Sequence, residues 1–122
     1  MGEERVRAAR GAIRVPEDSV EHVFAATERL LTAMFERNGV DTEDIVSVFF
    51  TATQDLRAAF PAEAARRMGL GSVPLMCAQE IPVRGSMPRV VRILMHFHTL
   101  RSRDEIAPTY LDGAESLRDD LG

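Results

Sequence analysis

The segment at residues 89–98, RVVRILMHFH, constrains the fold more than any other part of the chain. Its apolar and β-branched side chains predict a β-strand. Successive side chains of a strand point to opposite faces, so Arg92 would share a face with Leu94 and His96. A guanidinium in such a strand costs several kcal/mol to desolvate unless it is paired. The strand therefore predicts a buried Arg92 with a partner, which is either a carboxylate of the protein or an anionic ligand.

The pattern of the whole chain predicts an α+β fold, with a mixed sheet of about five strands and two main helices in the order β-α-β-α-β-β-β. The predicted strands cover residues 5–15, 45–53, 73–77, 89–98 and 109–118. A helical stripe of apolar residues, capped at Asp18 or Ser19 and closed by Gly39, predicts the first helix. Pro61 opens the second helix and Gly69 ends it. Two helices would leave one face of this sheet poorly covered, which predicts an oligomer.

Length, charge and cysteine content narrow the class of protein. The 122 residues imply one domain, 1–122, with a loose tail at about 119–122. A formal net charge of -4 argues against nucleic acid as a partner, while fifteen arginines supply planar anion binders. The start MGEERVRAAR lacks the apolar core of a signal peptide, and no apolar run approaches a membrane span. With Cys77 as the only cysteine, we expect a cytoplasmic protein without membrane association.

Two arginines among small or apolar neighbours are the first candidates for binding. Arg92 is one of them, and Arg10 on the first predicted strand is the other. If residues 80–92 form a hairpin centred on Ser86, Glu80 falls opposite Arg92. The two side chains then form either a salt bridge across the turn or one wall of a pocket. Two such arginines with few carboxylates on neighbouring strands favour an anionic ligand.

Cysteine and histidine chemistry is the competing interpretation. Cys77 could act as a nucleophile with His96 or His98 as its base, or it could be a small apolar residue at a strand end. The two histidines share a strand face and could bind a metal, but a third ligand is not evident. The sequence therefore predicts neither a metal nor a cofactor.

Several segments, taken in order, resemble the small trimeric class of chorismate mutases, the monofunctional α/β-barrel-like type. They are RGAI, TATQDL, FPAEAAR, VPLMCAQEIPV, PRVVRIL, TYL and a later LR. The resemblance covers nearly the whole chain. It implies a homotrimer with a pseudo-barrel core and active sites at subunit interfaces. It also implies the pericyclic Claisen rearrangement of chorismate to prephenate, a step of phenylalanine and tyrosine biosynthesis, by conformational restraint and electrostatic stabilisation without a cofactor.

The resemblance also implies roles for individual residues. Arg92 would reach the ether oxygen of the breaking bond, and Glu80 would lie near the ring and its hydroxyl. Arg10 and Tyr110 would bind a carboxylate of the substrate. The remaining substrate-binding residues would be Met76, Cys77, Ala78 and Gln79, Leu117 and Arg118 on the C-terminal side, and Phe60 and Arg66 of the neighbouring subunit.

The sequence departs from the family pattern at three places, and other functions stay open. Gln54 replaces a common proline in a loop, which is of little consequence. Glu63 stands where relatives often carry lysine, and Asp119 follows Arg118 where proline is usual. The first alternative function is a non-mutase trimeric protein that binds metabolites in interfacial clefts, similar to the imine deaminases. A glutamate and an arginine on adjacent strands, such as Glu80 and Arg92, are not expected in such a protein, and this feature discriminates between the two functions. The second is an accessory partner of another shikimate-pathway enzyme.

Overall fold

The computed structural model describes residues 3–121, which form one mixed five-stranded sheet with helices packed on it. The strands are β1 (Arg5–Arg14), β2 (Ile45–Ala52), β3 (Leu75–Gln79), β4 (Val90–Thr99) and β5 (Thr109–Leu111). The helices are α1 (Val20–Asn38) and α2 (Pro61–Ala65), which a π-helical turn (Arg66–Leu70) extends. Short 3-10 helices lie at Thr42–Asp44, Arg103–Glu105 and Ala114–Leu121. The predicted order of strands and main helices and the α+β fold class are confirmed.

The sheet has the strand order β3-β2-β4-β1-β5, with β4 at its centre. β4 pairs antiparallel with both neighbours, β1 and β2, whereas β3 and β5 pair parallel at the two edges. Four odd-numbered residues of β4, Val91, Ile93, Met95 and Phe97, are buried. This uninterrupted row of apolar side chains suits a central strand whose one face is fully covered.

The long helix α1 covers that face of the sheet. Its N-terminus is capped by Ser19, whose hydroxyl accepts a hydrogen bond from the backbone N–H of His22 at 3.1 Å. Gly39 ends it with a left-handed backbone (φ 60°) and donates its N–H to the carbonyl of Phe35. The apolar stripe predicted from the sequence faces the core, with Val23, Ala26, Leu30, Leu31 and Met34 buried.

The opposite face of the sheet carries no covering helix over most of its area within residues 3–121. Only the C-terminal 3-10 helix packs at one end, where Ala12 and Val90 form a small second cluster with Ala114. Phe49 and Met76 on this open face are 39% and 61% exposed. A contiguous apolar surface of this kind marks an interaction site. The predicted shortage of cover on one face is therefore present in the structure.

Two predicted elements are wrong. The hairpin over residues 80–92 does not form, because β3 pairs parallel with β2 and the chain crosses the end of β2 before it enters β4. The last strand does not reach Arg118: it ends at Leu111, since Asp112 and Gly113 adopt positive φ (51° and 95°) and a 3-10 helix follows.

Two further expectations concern the C-terminal tail and the absence of a membrane span. The loose tail at 119–122 stays a prediction, because Gly122 and the side chains of residues 119–121 lie outside the described part. None of the helices within residues 3–121 is long and apolar enough to cross a membrane.

Gly11 of β1 leaves no room for a side chain against α1, and this packing can be tested. A Cβ atom at Gly11 would lie 2.7 Å from Sδ of Met34 and 3.2 Å from the backbone oxygen of Thr109. Overpacking of this kind typically costs about 1–3 kcal/mol. We therefore expect Gly11→Ala to lower the free energy of unfolding by about that amount in urea denaturation. Gly71→Ala is the control and should change it little, since a Cβ there meets nothing within 4 Å.

Candidate active site

Arg92 lies on the open face, on the central strand β4 and near the end of the sheet where the C-terminal 3-10 helix packs. Its strand register places it opposite Ala12 of β1 and opposite Thr51 of β2. The side chain is 42% exposed, but its Nε atom is buried and has no hydrogen-bond partner among the described residues. The expectation of a fully buried guanidinium is therefore wrong for the single chain. Only the inner nitrogen is buried, because no element within residues 3–121 covers the outer part of the side chain.

Glu80 is the acidic partner of Arg92. Its Oε2 atom lies 3.3 Å from Nε of Arg92 and also accepts a hydrogen bond from the hydroxyl of Thr51. Glu80 follows β3, and its backbone N–H donates to the carbonyl of Ala52 at 2.9 Å. The ion pair expected from the sequence is present, but its two strands are not adjacent. Glu80 reaches Arg92 across Thr51 of the intervening strand β2.

A row of residues crosses all five strands at the level of Arg92. In sheet order, the row contains Ala78, Thr51, Arg92, Ala12 and Tyr110. Residues that are paired across strands project from the same face, so this row brings a guanidinium, a hydroxyl and a phenol together on the open face.

The next row along the open face contains Arg10. Arg10 is exposed and lies opposite Leu94 of β4, which itself pairs with Phe49 of β2. Phe49 in turn pairs with Met76 of β3. Arg10 and Met76, both predicted to bind substrate, therefore stand on the same face as Arg92, one row away from it.

A cleft of about 910 Å³ opens beside Arg92, and we call it the Arg92 cleft. Its walls are formed by residues 53–55, by the loop 80–88, by Val90 and Arg92 of β4, and by residues 116–117 of the C-terminal 3-10 helix. This volume lies within the range of about 300–1,000 Å³ that is usual for small-molecule sites. Of the predicted site residues, the Arg92 cleft contains Glu80, Arg92 and Leu117.

A second cleft of about 550 Å³ adjoins the first, and we call it the Phe60 cleft. It shares Thr53 and Gln54 with the Arg92 cleft. The predicted substrate-binding residues that line the Phe60 cleft are Phe60, Cys77, Ala78 and Gln79. Cys77 lies here because it packs against the main core, on the side of β3 opposite to Arg92. Phe60 is 72% exposed and so is available for contacts outside its own chain.

The other predicted residues lie outside both clefts of the single chain. Tyr110 is half-buried and packs on the small cluster at the end of β1. Arg66 is bound to Glu63 by an ion pair of 3.0 Å, which partly neutralises it. Arg118 is exposed on the C-terminal 3-10 helix. The single chain thus brings only part of the predicted set together.

Thr53 and Asp55 fix the start of β4. The Asp55 carboxylate accepts the backbone N–H of Arg89 with both oxygens at 3.1 Å, and Arg89 has a left-handed backbone (φ 53°). The hydroxyl of Thr53 donates a hydrogen bond to the Asp55 carboxylate and accepts one from the backbone N–H of Val90 at 3.0 Å. Burial raises the pKa of Asp55, but the hydrogen bonds from Thr53 and Arg89 outweigh it, so the pKa is lowered.

Thr51, Thr53, Gln54 and Asp55 were missed by the sequence analysis. A signal exists for the two threonines, because they alternate with apolar residues near the end of IVSVFFTAT and so share one face of a strand. The signal does not say which strands lie beside β2, and the contact of Thr51 with Glu80 depends on those neighbours.

Histidine and cysteine are not arranged for metal binding in the described part of the chain. Within residues 3–121 there is no group of three or more His, Cys, Asp or Glu residues that could hold an ion. His96 packs edge-on against the ring of Phe49, with centroids 5.8 Å apart. His98 lies 3.9 Å from Glu4 near the beginning of β1.

Comparison with known proteins shows the family. The model of the family described as chorismate mutase type I matches residues 6–121. Over 117 residues, the chain is 49% identical to chorismate mutase AroH of Thermus thermophilus and 38% identical to that of Bacillus subtilis. These alignments cover 95% of this chain and 96% and 92% of the respective relatives.

A solved structure agrees with the sequence matches. The chorismate mutase from Clostridium thermocellum superposes with a TM-score of 0.89 at 44% identity, covering 90% of this chain and 98% of that one. The chain therefore belongs to the chorismate mutase type I family, and it is an isomerase that acts on chorismate in aromatic amino acid biosynthesis. The resemblance noted in the sequence is confirmed, and the imine-deaminase-like alternative is set aside.

The anchoring role of Asp55 generates a prediction about pH. Because its pKa is lowered in the folded chain, its contribution to stability is present above the ordinary value of 3.8 and is lost as the pH falls through the lowered value. We expect Asp55→Asn to lower the free energy of unfolding at pH 7 by less than about 1 kcal/mol, since the group is exposed.

The difference in the free energy of unfolding between Asp55→Asn and wild type should then disappear in acid. Urea denaturation of both proteins at pH 7 and at pH values below 3.8 measures the difference. A gap that stayed constant through the acid range would show that the charge of Asp55 does not support the fold.

Proposed function

We propose that the rearrangement of chorismate to prephenate takes place in the Arg92 cleft, with Arg92 and Glu80 as the catalytic residues. The supporting observation is the geometry of this pair. The inner nitrogen of Arg92 is buried 3.3 Å from Glu80, while the rest of the side chain remains accessible and lines the cleft. A guanidinium whose inner nitrogen faces a carboxylate and whose outer nitrogens are accessible from the cleft is suited to bind an anionic ligand.

The reaction requires fixed charges and a compact substrate. Chorismate is a dianion, and its C–O bond breaks ahead of C–C bond formation, so negative charge develops on the ether oxygen and positive charge on the ring. Arg92 stabilises the ether oxygen, and the Glu80 carboxylate is suited to the electron-poor ring. Holding the substrate in its diaxial form supplies the rest of the acceleration. In this mechanism no proton moves and no covalent intermediate forms.

The other predicted residues bind and enclose the substrate. Arg10, one strand away from Arg92, and Tyr110, two strands away, hold a carboxylate from the far side of the open face. Leu117 and Arg118 close the C-terminal side, where residue 117 already lines the Arg92 cleft. The substrate-binding role of residues 76–79 comes from the resemblance. The Phe60 cleft that adjoins the Arg92 cleft is lined by Cys77, Ala78 and Gln79, and of these three Ala78 lies in the same row across the sheet as Arg92.

We further propose a homotrimer with three interfacial sites around a pseudo-barrel core. The open face supports it, because half-exposed apolar residues such as Phe49 and Met76 need cover. The 72% exposed ring of Phe60 supports a contribution from the neighbouring subunit. Arg66 would come from the same neighbour, although Glu63 partly neutralises it. A single cysteine fits a reducing compartment, and we propose a cytoplasmic protein on that basis.

The assembly can be tested on the open face itself. Light scattering should give a mass of three chains for the wild type. Phe49→Asp places a charge on the face that we propose is buried by neighbours, so it should dissociate the protein and lower turnover. Val20→Asp is the matched control: Val20 is 45% exposed, close to the 39% of Phe49, but lies at the start of α1. A wild-type monomer with full activity would contradict the shared site.

The role of Arg92 is tested by Arg92→Lys. Lysine keeps the charge but loses the planar fork and part of the reach, so the ether oxygen would meet a mobile ammonium. Loss of one preorganised donor to a developing oxyanion typically lowers turnover by about 10²–10³. We expect at least that loss in kcat for chorismate, with a smaller change in KM because Arg10 and Tyr110 still hold a carboxylate.

The control is Arg103→Lys, an exposed arginine on the 3-10 turn after β4, which should leave both constants unchanged. If Arg92→Lys instead kept kcat within a few-fold and lowered the melting temperature, Arg92 would be a structural ion-pair residue and the proposed mechanism would be wrong.

A further inference from the structure

Thr51 stands between the two catalytic side chains. In the row across the sheet it is paired with Arg92 of β4 on one side and with Ala78 of β3 on the other. Its hydroxyl donates a hydrogen bond to Oε2 of Glu80, two residues beyond Ala78. The proposed mechanism gives Thr51 no task, yet it is the one hydroxyl in this row that reaches the Glu80 carboxylate.

The same oxygen of Glu80 faces two donors. Oε2 lies 3.3 Å from Nε of Arg92, but that nitrogen makes no hydrogen bond among the described residues and is buried. A buried N–H without an acceptor is unfavourable, and a guanidinium–carboxylate hydrogen bond is short and strong. The carboxylate is therefore drawn toward Arg92. The bond from Thr51 acts on the same oxygen from another direction, so it opposes a rotation of the carboxylate toward Nε.

We propose that Thr51 is a positioning residue, whose hydroxyl keeps the Glu80 carboxylate from turning into a full hydrogen bond with Nε of Arg92. The inference rests on the proposed function of that pair. A full hydrogen bond from Nε would bring the negative charge of Glu80 closer to the guanidinium and weaken the positive potential at the ether oxygen. It would also move the carboxylate away from the ring. With the Thr51 bond in place, the carboxylate stays 3.3 Å from Nε without a hydrogen bond to it and remains turned toward the substrate.

The proposal predicts a particular pattern in a set of variants of the full chain. Thr51→Val deletes the hydroxyl and keeps the β-branched shape, whereas Thr51→Ser keeps the hydroxyl. We expect Thr51→Val to lower kcat for chorismate about tenfold with less than about threefold change in KM, because a contact used in the transition state is disturbed. Thr51→Ser should stay within about threefold of wild type in both constants. Thr51→Ala gives the same comparison if the valine variant does not assemble.

A double-mutant cycle separates positioning from packing. Glutamine at position 80 carries no charge to be drawn onto Arg92, so Thr51 should matter little in that background. We expect Thr51→Val to change kcat less than about twofold when it is added to Glu80→Gln. Melting curves should show that neither Thr51 variant unfolds more readily than wild type at the assay temperature.

Three outcomes would overturn the inference. The first is an unchanged kcat in both Thr51→Val and Thr51→Ala. The second is an equal loss in Thr51→Ser and Thr51→Val, and the third is the same loss with and without Glu80→Gln. In each case the proposed function still holds if the wild type turns over chorismate and Glu80→Gln lowers its kcat. A wild-type chain without turnover would instead overturn the proposed function, and this inference with it.

Discussion

The pairing of β4 with β1 and β2 is the constraint on which the site depends. Two antiparallel ladders hold the strand on both sides, so the position of Arg92 is fixed by backbone hydrogen bonds and not by its own side chain. The buried odd-numbered residues of β4 then decide which face Arg92 must take. A shift of the strand by one residue would turn the guanidinium into the core, where it would have no partner.

The same alternation links the site to the assembly. α1 and α2 cover one face of the sheet and form the main core, which leaves the proposed catalytic side chains and an apolar surface together on the other face. The proposed mechanism forms no covalent intermediate. An active site on the open face therefore needs only charged side chains and a neighbouring subunit that covers them. In the proposed trimer, the contacts that bury Phe49 and Met76 would also exclude water from around Arg92, which strengthens its electrostatic effect.

Much of this structure follows from the sequence, and the exceptions share one cause. Local signals sufficed for the element order and for the caps of α1. The contact between Glu80 and Arg92 is present, although the hairpin from which it was predicted does not form. Local signals failed where the answer depended on which strands are neighbours. A hairpin was the simplest route from Glu80 to Arg92, but the true route passes over β2. Thr51 was missed for the same reason, since its role exists only once β2 lies between β3 and β4.

The central claim is that this chain accelerates its reaction with fixed charges and without proton transfer. Its most direct test is the solvent deuterium isotope effect on kcat for chorismate, measured across pH values of about 6 to 9, between the reference pKa values of a carboxyl and a tyrosine. The account predicts an effect close to one and a nearly flat profile. A clear isotope effect, with a steep limb near the reference thiol pKa of about 8.5, would make Cys77 a nucleophile or base and would contradict it.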